Sequence, residues 1–438
     1  MGDKMNIVSI IENKRNKKEL SKEEINYFVQ EYTEGNIPDY QAAALIMAMY
    51  LNGMNRKETS ELTMAMANSG EVLDLTDISE NIIDKHSTGG VGDKITIILM
   101  PIIASLGVPV AKMSGRGLGF TGGTADKLES IPGYNVDISI EEFKQNVKDI
   151  GISLITSNLN LAPADKKIYA LRDTIACVSS IPLIASSIMS KKIAAGANKI
   201  VIDITCGSGA FMKNIVQAAI LARTMVKIGE NTGKKVVCIL TNMDEPVGYA
   251  IGNSLEIKEA VEALKGNLPD DVREITYALG KQMLILAGKA ENEEDAERMI
   301  TDAIQSGKAL EKFKELVKKQ GGKISYIDDL DKFENAKYIV PVPASRSGNV
   351  LRIKTEEIGK ISAFIGAGRI NKEDKIDYEA GIVINKKIDD YVKKGEPIAY
   401  IHTNRKEIID EAISKIQKSY IILNLKRIKR RTVIQIIK

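Results

Sequence analysis

The chain opens on a helical rhythm. Ser21-Lys22-Glu23-Glu24 has the form of a capping box, and Ile25, Phe28, Val29 and Tyr32 follow at helical spacing until Gly35. Residues 40–51 and 57–67 predict two more helices, stopped by Gly53 and Gly70. Both are rich in Ala and Met, which suits close packing against another helix or a second subunit. After Gly70 the pattern changes. Ile82-Ile83, residues 108–113 and residues 152–156 are short apolar runs that read as buried strands, with helices predicted over 95–106 and 141–150.

The alternation then breaks and resumes. Residues 163–178 and 182–195 each begin on Pro and predict two helices. Runs at 199–204 and 235–240 return to strands, around a helix near 216–227. Further helices are predicted over 255–264, 270–287, 293–305 and 310–319. From about residue 337 the texture becomes short strands between Gly, Asp and Lys turns. The expected fold class is α/β: a helical lobe (1–70 and 161–196), a large α/β lobe with a mixed sheet (71–160 and 197–336), and a C-terminal α+β domain (337–438).

Composition narrows the function classes. Apolar residues make up 44% and charged residues 27% of 438, ordinary values for a globular protein. No run approaches the ~20 apolar residues that cross a bilayer. The first twenty residues are too rich in Lys, Asp and Glu for a signal peptide. Three scattered cysteines, Cys177, Cys206 and Cys238, suit a reducing cytoplasm. With two histidines, His86 and His402, a multi-His metal site is excluded. The net charge of +3 hides a basic tail: residues 415–438 hold five Lys, three Arg and no acid. The body is mildly acidic and carries no nucleic-acid footprint.

Candidate chemistry concentrates in one stretch. Nine of the 34 glycines fall within residues 84–129, eight of them in two loops that each follow an apolar run. The first reads Asp84-Lys85-His86-Ser87-Thr88-Gly89-Gly90-Val91-Gly92-Asp93. The second reads Ser114-Gly115-Arg116-Gly117-Leu118-Gly119-Phe120-Thr121-Gly122-Gly123-Thr124. Glycine brings backbone N–H groups close to a ligand, while Lys85, Ser87, Thr88, Thr96, Ser114 and Thr124 add a cation and hydroxyls. The pair reads as a cradle for an oxyanion such as phosphate. His86 lies inside it, with an ordinary pKa of ~6.5 that suits proton transfer. Tyr169 and Arg172 share one helix face, as do Ser187 and Lys191, so each pair points one way.

These motifs resemble the thymidine and pyrimidine-nucleoside phosphorylases. The second loop with Asp126, Leu128 and Glu129 is similar to the family signature, and residues 85–93 to its first phosphate loop. Tyr169-Ala170-Leu171-Arg172-Asp173 and Ser186-Ser187-Ile188-Met189-Ser190-Lys191-Lys192 are similar to its base-binding helices. The likeness runs from the first helices to about Asn404. It implies phosphorolysis of a pyrimidine nucleoside in a cleft between lobes, by a homodimer formed through the helical lobe. Inorganic phosphate is the implied co-substrate, with no organic cofactor.

The resemblance also implies roles. Lys85, Ser87, Thr96, Lys112, Ser114 and Thr124 would hold phosphate. Arg172, Ser187 and Lys191 would hold the base, with Tyr169 and Phe211 shaping its pocket. His86, Arg172 and Lys191 would be catalytic. Lys112, where thymidine-restricted members usually carry Met, implies acceptance of both uridine and thymidine. Gly92, Val247, Ala250 and Glu259, with position 94, would surround a monovalent cation such as K⁺.

Three departures from the family pattern stand out. Phe120 replaces a common His. Lys94 replaces a Thr, and its ammonium is expected where the cation would sit, paired with Glu259. The basic run Asn424-Leu425-Lys426-Arg427-Ile428-Lys429-Arg430-Arg431 replaces a mixed-charge end. Competing readings are a thymidine phosphorylase restricted to deoxyribosides, a phosphoribosyltransferase of related fold, a carrier-type C-terminal module, and nucleic-acid binding by the tail.

Overall fold

A computed structural model describes residues 5–79, 81–117, 119–156, 160–371, 373–425 and 430–438. Residues 426–429, the centre of the basic run, and Leu118 of the second loop lie outside the described residues.

The apolar runs become the strands of one six-stranded sheet. β1 (Ile83–Ser87), β2 (Val110–Ser114), β3 (Ile152–Thr156), β4 (Lys199–Cys206) and β5 (Lys235–Asn242) are parallel to their neighbours. Their side chains are buried along most of their length, as expected where helices cover both sheet faces. The order is Val433–Ile437, β5, β4, β1, β2, β3. The chain therefore builds outward from β1 in one direction, then returns to build in the other. The crevice beyond the carboxyl ends of strands at such a reversal is where open α/β sheets bind ligands. Ser87, which ends β1, lies in register with Asp203 of β4.

The strand Val433–Ile437 runs antiparallel to β5 and makes the sheet mixed. The sequence expectation places it in the C-terminal domain (337–438). Its mostly apolar residues instead complete the large sheet, with Ile437 paired to Cys238. A boundary drawn at residue 337 thus needs one correction, because the last strand crosses back.

The helical lobe is closed by the chain's excursion out of the sheet. Helices Pro163–Thr174 and Ile181–Ala194 pack against the N-terminal helices, so Ala164, Ile168 and Leu183 share one core with Ile25, Phe28, Leu45 and Leu62. The Ser21 box forms as expected: Ser21 Oγ accepts from Glu24 N and the Glu24 carboxylate accepts from Ser21 N. The C-terminal unit holds a four-stranded and a three-stranded sheet with helices Thr355–Ser362 and Ile409–Ser419. It is joined to the large lobe by the short strand Ala250–Ile251, which pairs with Gly381–Ile384.

Candidate active site

A cavity of about 300 Å³ lies where the two glycine loops meet helix Ile181–Ala194. From the loops, His86, Ser87, Ser114 and Thr124 face it, with Thr96 and Lys112 behind them. From the helix come Ile188, Lys191 and Lys192. Arg116 and Asp93 complete the charged lining.

The floor is an array of buried charges on β1 and its neighbours. Asp84 lies between Lys192, at 2.7 Å, and Lys112, at 3.8 Å. Lys112 also donates to the Lys85 carbonyl at 2.7 Å. Lys85 is fully buried, donates to Thr96 Oγ1 at 3.2 Å and faces Asp203 at 3.9 Å. Ser87 donates to Asp93 at 2.6 Å, and Lys127 donates to the Asp93 carbonyl at 2.6 Å while pairing with Glu256 at 2.7 Å.

This crowding sets the protonation states. Burial, and then Lys192, Lys112 and Lys85, hold His86 well below the ordinary imidazole range. A neutral imidazole donates from one ring nitrogen and accepts at the other. Burial and the Lys192 ammonium likewise push Lys112 far down, against the pull of Asp84. Burial raises Asp203 to about 6, with Asp93 adding to the rise and Lys85 opposing it. An anion in the cavity would relieve the repulsion among these cations, which favours binding a negative ligand.

The second loop is shaped by contact of its own ends. A Cβ on Gly123 would lie 2.2 Å from Gly117 N and 2.7 Å from Asp126 Oδ2, so no larger residue fits. Asp126, buried at the start of the helix that follows, accepts from Gly117 N at 2.6 Å. Arg116 reaches back to Glu129 and Asp137.

The expected base contacts are placed differently. Arg172 is 1% exposed and donates to the carbonyls of Cys177, Val178 and Leu183 at 3.3, 2.8 and 3.1 Å. Those acceptors belong to its own lobe. Ser187 accepts from Lys191 at 3.0 Å, and Lys191 also pairs with the buried Asp165. Tyr169 is 48% exposed with the Arg172 guanidinium 5.8 Å from its ring centre. Phe211 is 57% exposed and stacks at a tilt on Phe120, centroids 5.2 Å apart. Of the expected contacts, His86, Ser87, Thr96, Lys112, Ser114, Thr124 and Lys191 line the cavity; Lys85, Tyr169, Arg172, Ser187 and Phe211 do not.

The residues expected around a monovalent cation do not fit one. The Lys94 ammonium takes their centre, donating to the carbonyls of Val247 at 2.7 Å and Ala250 at 3.0 Å and pairing with Glu259. Gly248 makes room: at φ +66°, a Cβ there would lie 2.7 Å from that nitrogen. Burial alone would lower the Lys94 pKa, but Glu259, Glu256 and Asp271 together hold it above its ordinary value, so the charge stays.

Several contributors were not singled out from sequence. Asp165, Lys192, Asp203 and Lys127 orient or charge the residues that were. The one signal for Lys192 is its adjacency to Lys191; nothing local marks Asp203, which meets Lys85 only through strand pairing.

Comparison with known proteins agrees with this architecture. Family models match in chain order. The helical bundle domain of the glycosyl transferase family covers residues 8–70 and its a/b domain covers 79–310. A pyrimidine nucleoside phosphorylase C-terminal domain covers 349–423. A pyrimidine-nucleoside phosphorylase of Staphylococcus epidermidis is 53% identical over 418 residues, 95% of this chain and 96% of that protein. One from Bacillus subtilis is 52% identical over 412 residues, 94% of this chain and 95% of that protein. The crystal structure of an anthranilate phosphoribosyltransferase from Thermus thermophilus shares the fold, with a TM-score of 0.59, 17% identity, and coverage of 71% of this chain and 99% of that one. Among the described residues no helix is long and apolar enough to cross a membrane.

Proposed function

We propose, on the premise that the chain belongs to the pyrimidine-nucleoside phosphorylase family, that it phosphorolyses uridine, thymidine and deoxyuridine. It is a pentosyltransferase with inorganic phosphate as co-substrate. The observation that carries the reading is the cavity itself: two glycine loops over buried lysines on one side and Lys191 on the other.

In this reading a phosphate oxygen forms a bond to the anomeric C1′ as the C1′–N bond breaks. The bonding pair leaves with the base, and the sugar passes through an oxocarbenium-like state. No covalent enzyme intermediate is needed. The loops hold the phosphate beneath C1′, which supplies proximity. Negative charge grows on the base, and Lys191 stabilises it, joined by Arg172 once its guanidinium is released from the carbonyls of Cys177, Val178 and Leu183. Phosphate bound over Lys112 offsets the cationic part of what holds His86 neutral, which favours a proton there that His86 can give the base.

The homodimer through the helical lobe remains part of this proposal. It is supported by Tyr40 and Leu51, large apolar residues exposed at the two ends of helix Asp39–Asn52.

The Lys94 ammonium stands in for the cation, so activity does not depend on K⁺. Rates in potassium and in tetramethylammonium salts at equal ionic strength are expected to agree; a large stimulation by K⁺ contradicts this. The main reading is tested by incubating each nucleoside with phosphate and following base release by absorbance. Absence of phosphate-dependent release overturns it.

A further inference from the structure

The second glycine loop is fastened from outside its own lobe. Arg369, in the C-terminal unit, donates from Nη1 to Asp126 Oδ1 at 2.8 Å, and its own carbonyl accepts from Gly119 N at 3.0 Å. The same nitrogen lies 3.5 Å from the Gly117 carbonyl. Asp126 in turn accepts from Gly117 N at 2.6 Å. A second hold is apolar. Phe120 packs against the core of the C-terminal unit, where helix Thr355–Ser362 comes so close that a Cβ on Gly359 would lie 2.3 Å from the Phe120 carbonyl.

The loop so gripped supplies Gly115, Arg116, Gly117 and Thr121 to Thr124 to the cavity wall. A glycine-rich backbone has little conformational preference of its own. Its N–H groups are aimed at a ligand only if something fixes them. Here the fixing groups are the Arg369 guanidinium, its carbonyl and the buried Asp126 carboxylate.

We propose that Arg369 is a positioning residue for phosphate, through which the C-terminal unit sets the geometry of the anion half of the site. The proposal rests on the phosphorylase reading. It assigns the C-terminal unit a part in co-substrate affinity, although among the described residues that unit gives the cavity no lining residue.

The test uses the full chain and steady-state phosphorolysis of uridine, with phosphate and uridine varied separately. Arg369→Ala is expected to raise the phosphate KM about ten-fold, the size lost when a group orienting a direct ligand contact is removed, with uridine KM and kcat within about two-fold. Arg369→Lys, which keeps the charge but not the planar fork, should give a smaller rise in the same direction. Glu356→Gln breaks a different contact between the same units, the 2.6 Å ion pair with Lys213, and should leave phosphate KM unchanged. Thermal melting with and without phosphate reports the folded fraction. Should Arg369→Ala not fold, Arg369→Lys carries the test alone. A phosphate KM equal to wild type in the folded variants, or a fall in kcat without that rise, overturns the inference. A wild-type chain with no phosphate-dependent release overturns the phosphorylase reading instead, so the two failures are distinguishable.

Discussion

The two sides of the cleft are built differently. On the glycine-loop side the charges are already fixed: Asp84 between Lys112 and Lys192, Ser87 on Asp93, Asp126 on the Gly117 amide and Arg369. On the other side the expected base contacts are not yet gathered. Arg172 donates to three carbonyls of its own lobe, and Tyr169 stands half in solvent. We propose that the anion half is preorganised and that the base half is completed by movement around substrate. A cradle of fixed donors binds without reorganisation, whereas a site assembled on closure is specific at some cost in affinity.

Removing Lys191 should have the largest effect, because it is the base-side cation that already faces the cavity. Lys191→Ala is expected to lower kcat/KM for uridine by ~10²–10³ while phosphate KM changes little. An equal rise in phosphate KM would break the division into halves. Truncating the anion side comes next. Lys112→Ala should raise phosphate KM by about 10–100-fold, the range of a lost charged hydrogen bond, with a smaller effect on uridine KM.

A gentler comparison uses ligands one at a time. Phosphate alone should raise the melting temperature, by the equivalent of ~2.7 kcal/mol at a hundred times its Kd, whereas uracil alone should leave it nearly unchanged. Equal protection by both would place the two halves on the same footing. The smallest effect is a proton. His86 is held well below its unfolded value, so the unfolded chain binds the extra proton as pH falls through ~6.5, and stability is lost there. Unfolding free energies from denaturant titrations at pH 7.5 and 5.5 should differ less in His86→Gln than in wild type, by no more than ~1.4 kcal/mol per pH unit below ~6.5. Saturating phosphate should shrink the wild-type difference.

The same contrast explains what could be read from the sequence. Local signals sufficed for the capping box at Ser21, the two proline-started helices and the buried strands, because each is set by a few neighbouring residues. The glycine loops were legible for the same reason. Lys94 against Glu259 was also foreseen, through the family pattern rather than the spacing. Less visible were contacts closed by topology. Lys192 reaches Asp84, Lys85 faces Asp203 and Arg369 reaches Asp126 only once strands and domains have assembled. The strand Val433–Ile437 reads as a piece of the C-terminal domain, since nothing in five mostly apolar residues names the sheet they join. Arg172 was expected at the base, and its turn toward its own lobe follows from burial beside three carbonyls that sequence spacing does not reveal.

The central claim is that the phosphate half exists before the base half. Calorimetric titration of phosphate and of uracil, each into the free protein and each into the protein saturated with the other, tests it most directly. Phosphate is expected to bind the free protein, and uracil to bind measurably only once phosphate is present. Uracil binding of equal affinity with and without phosphate would contradict it.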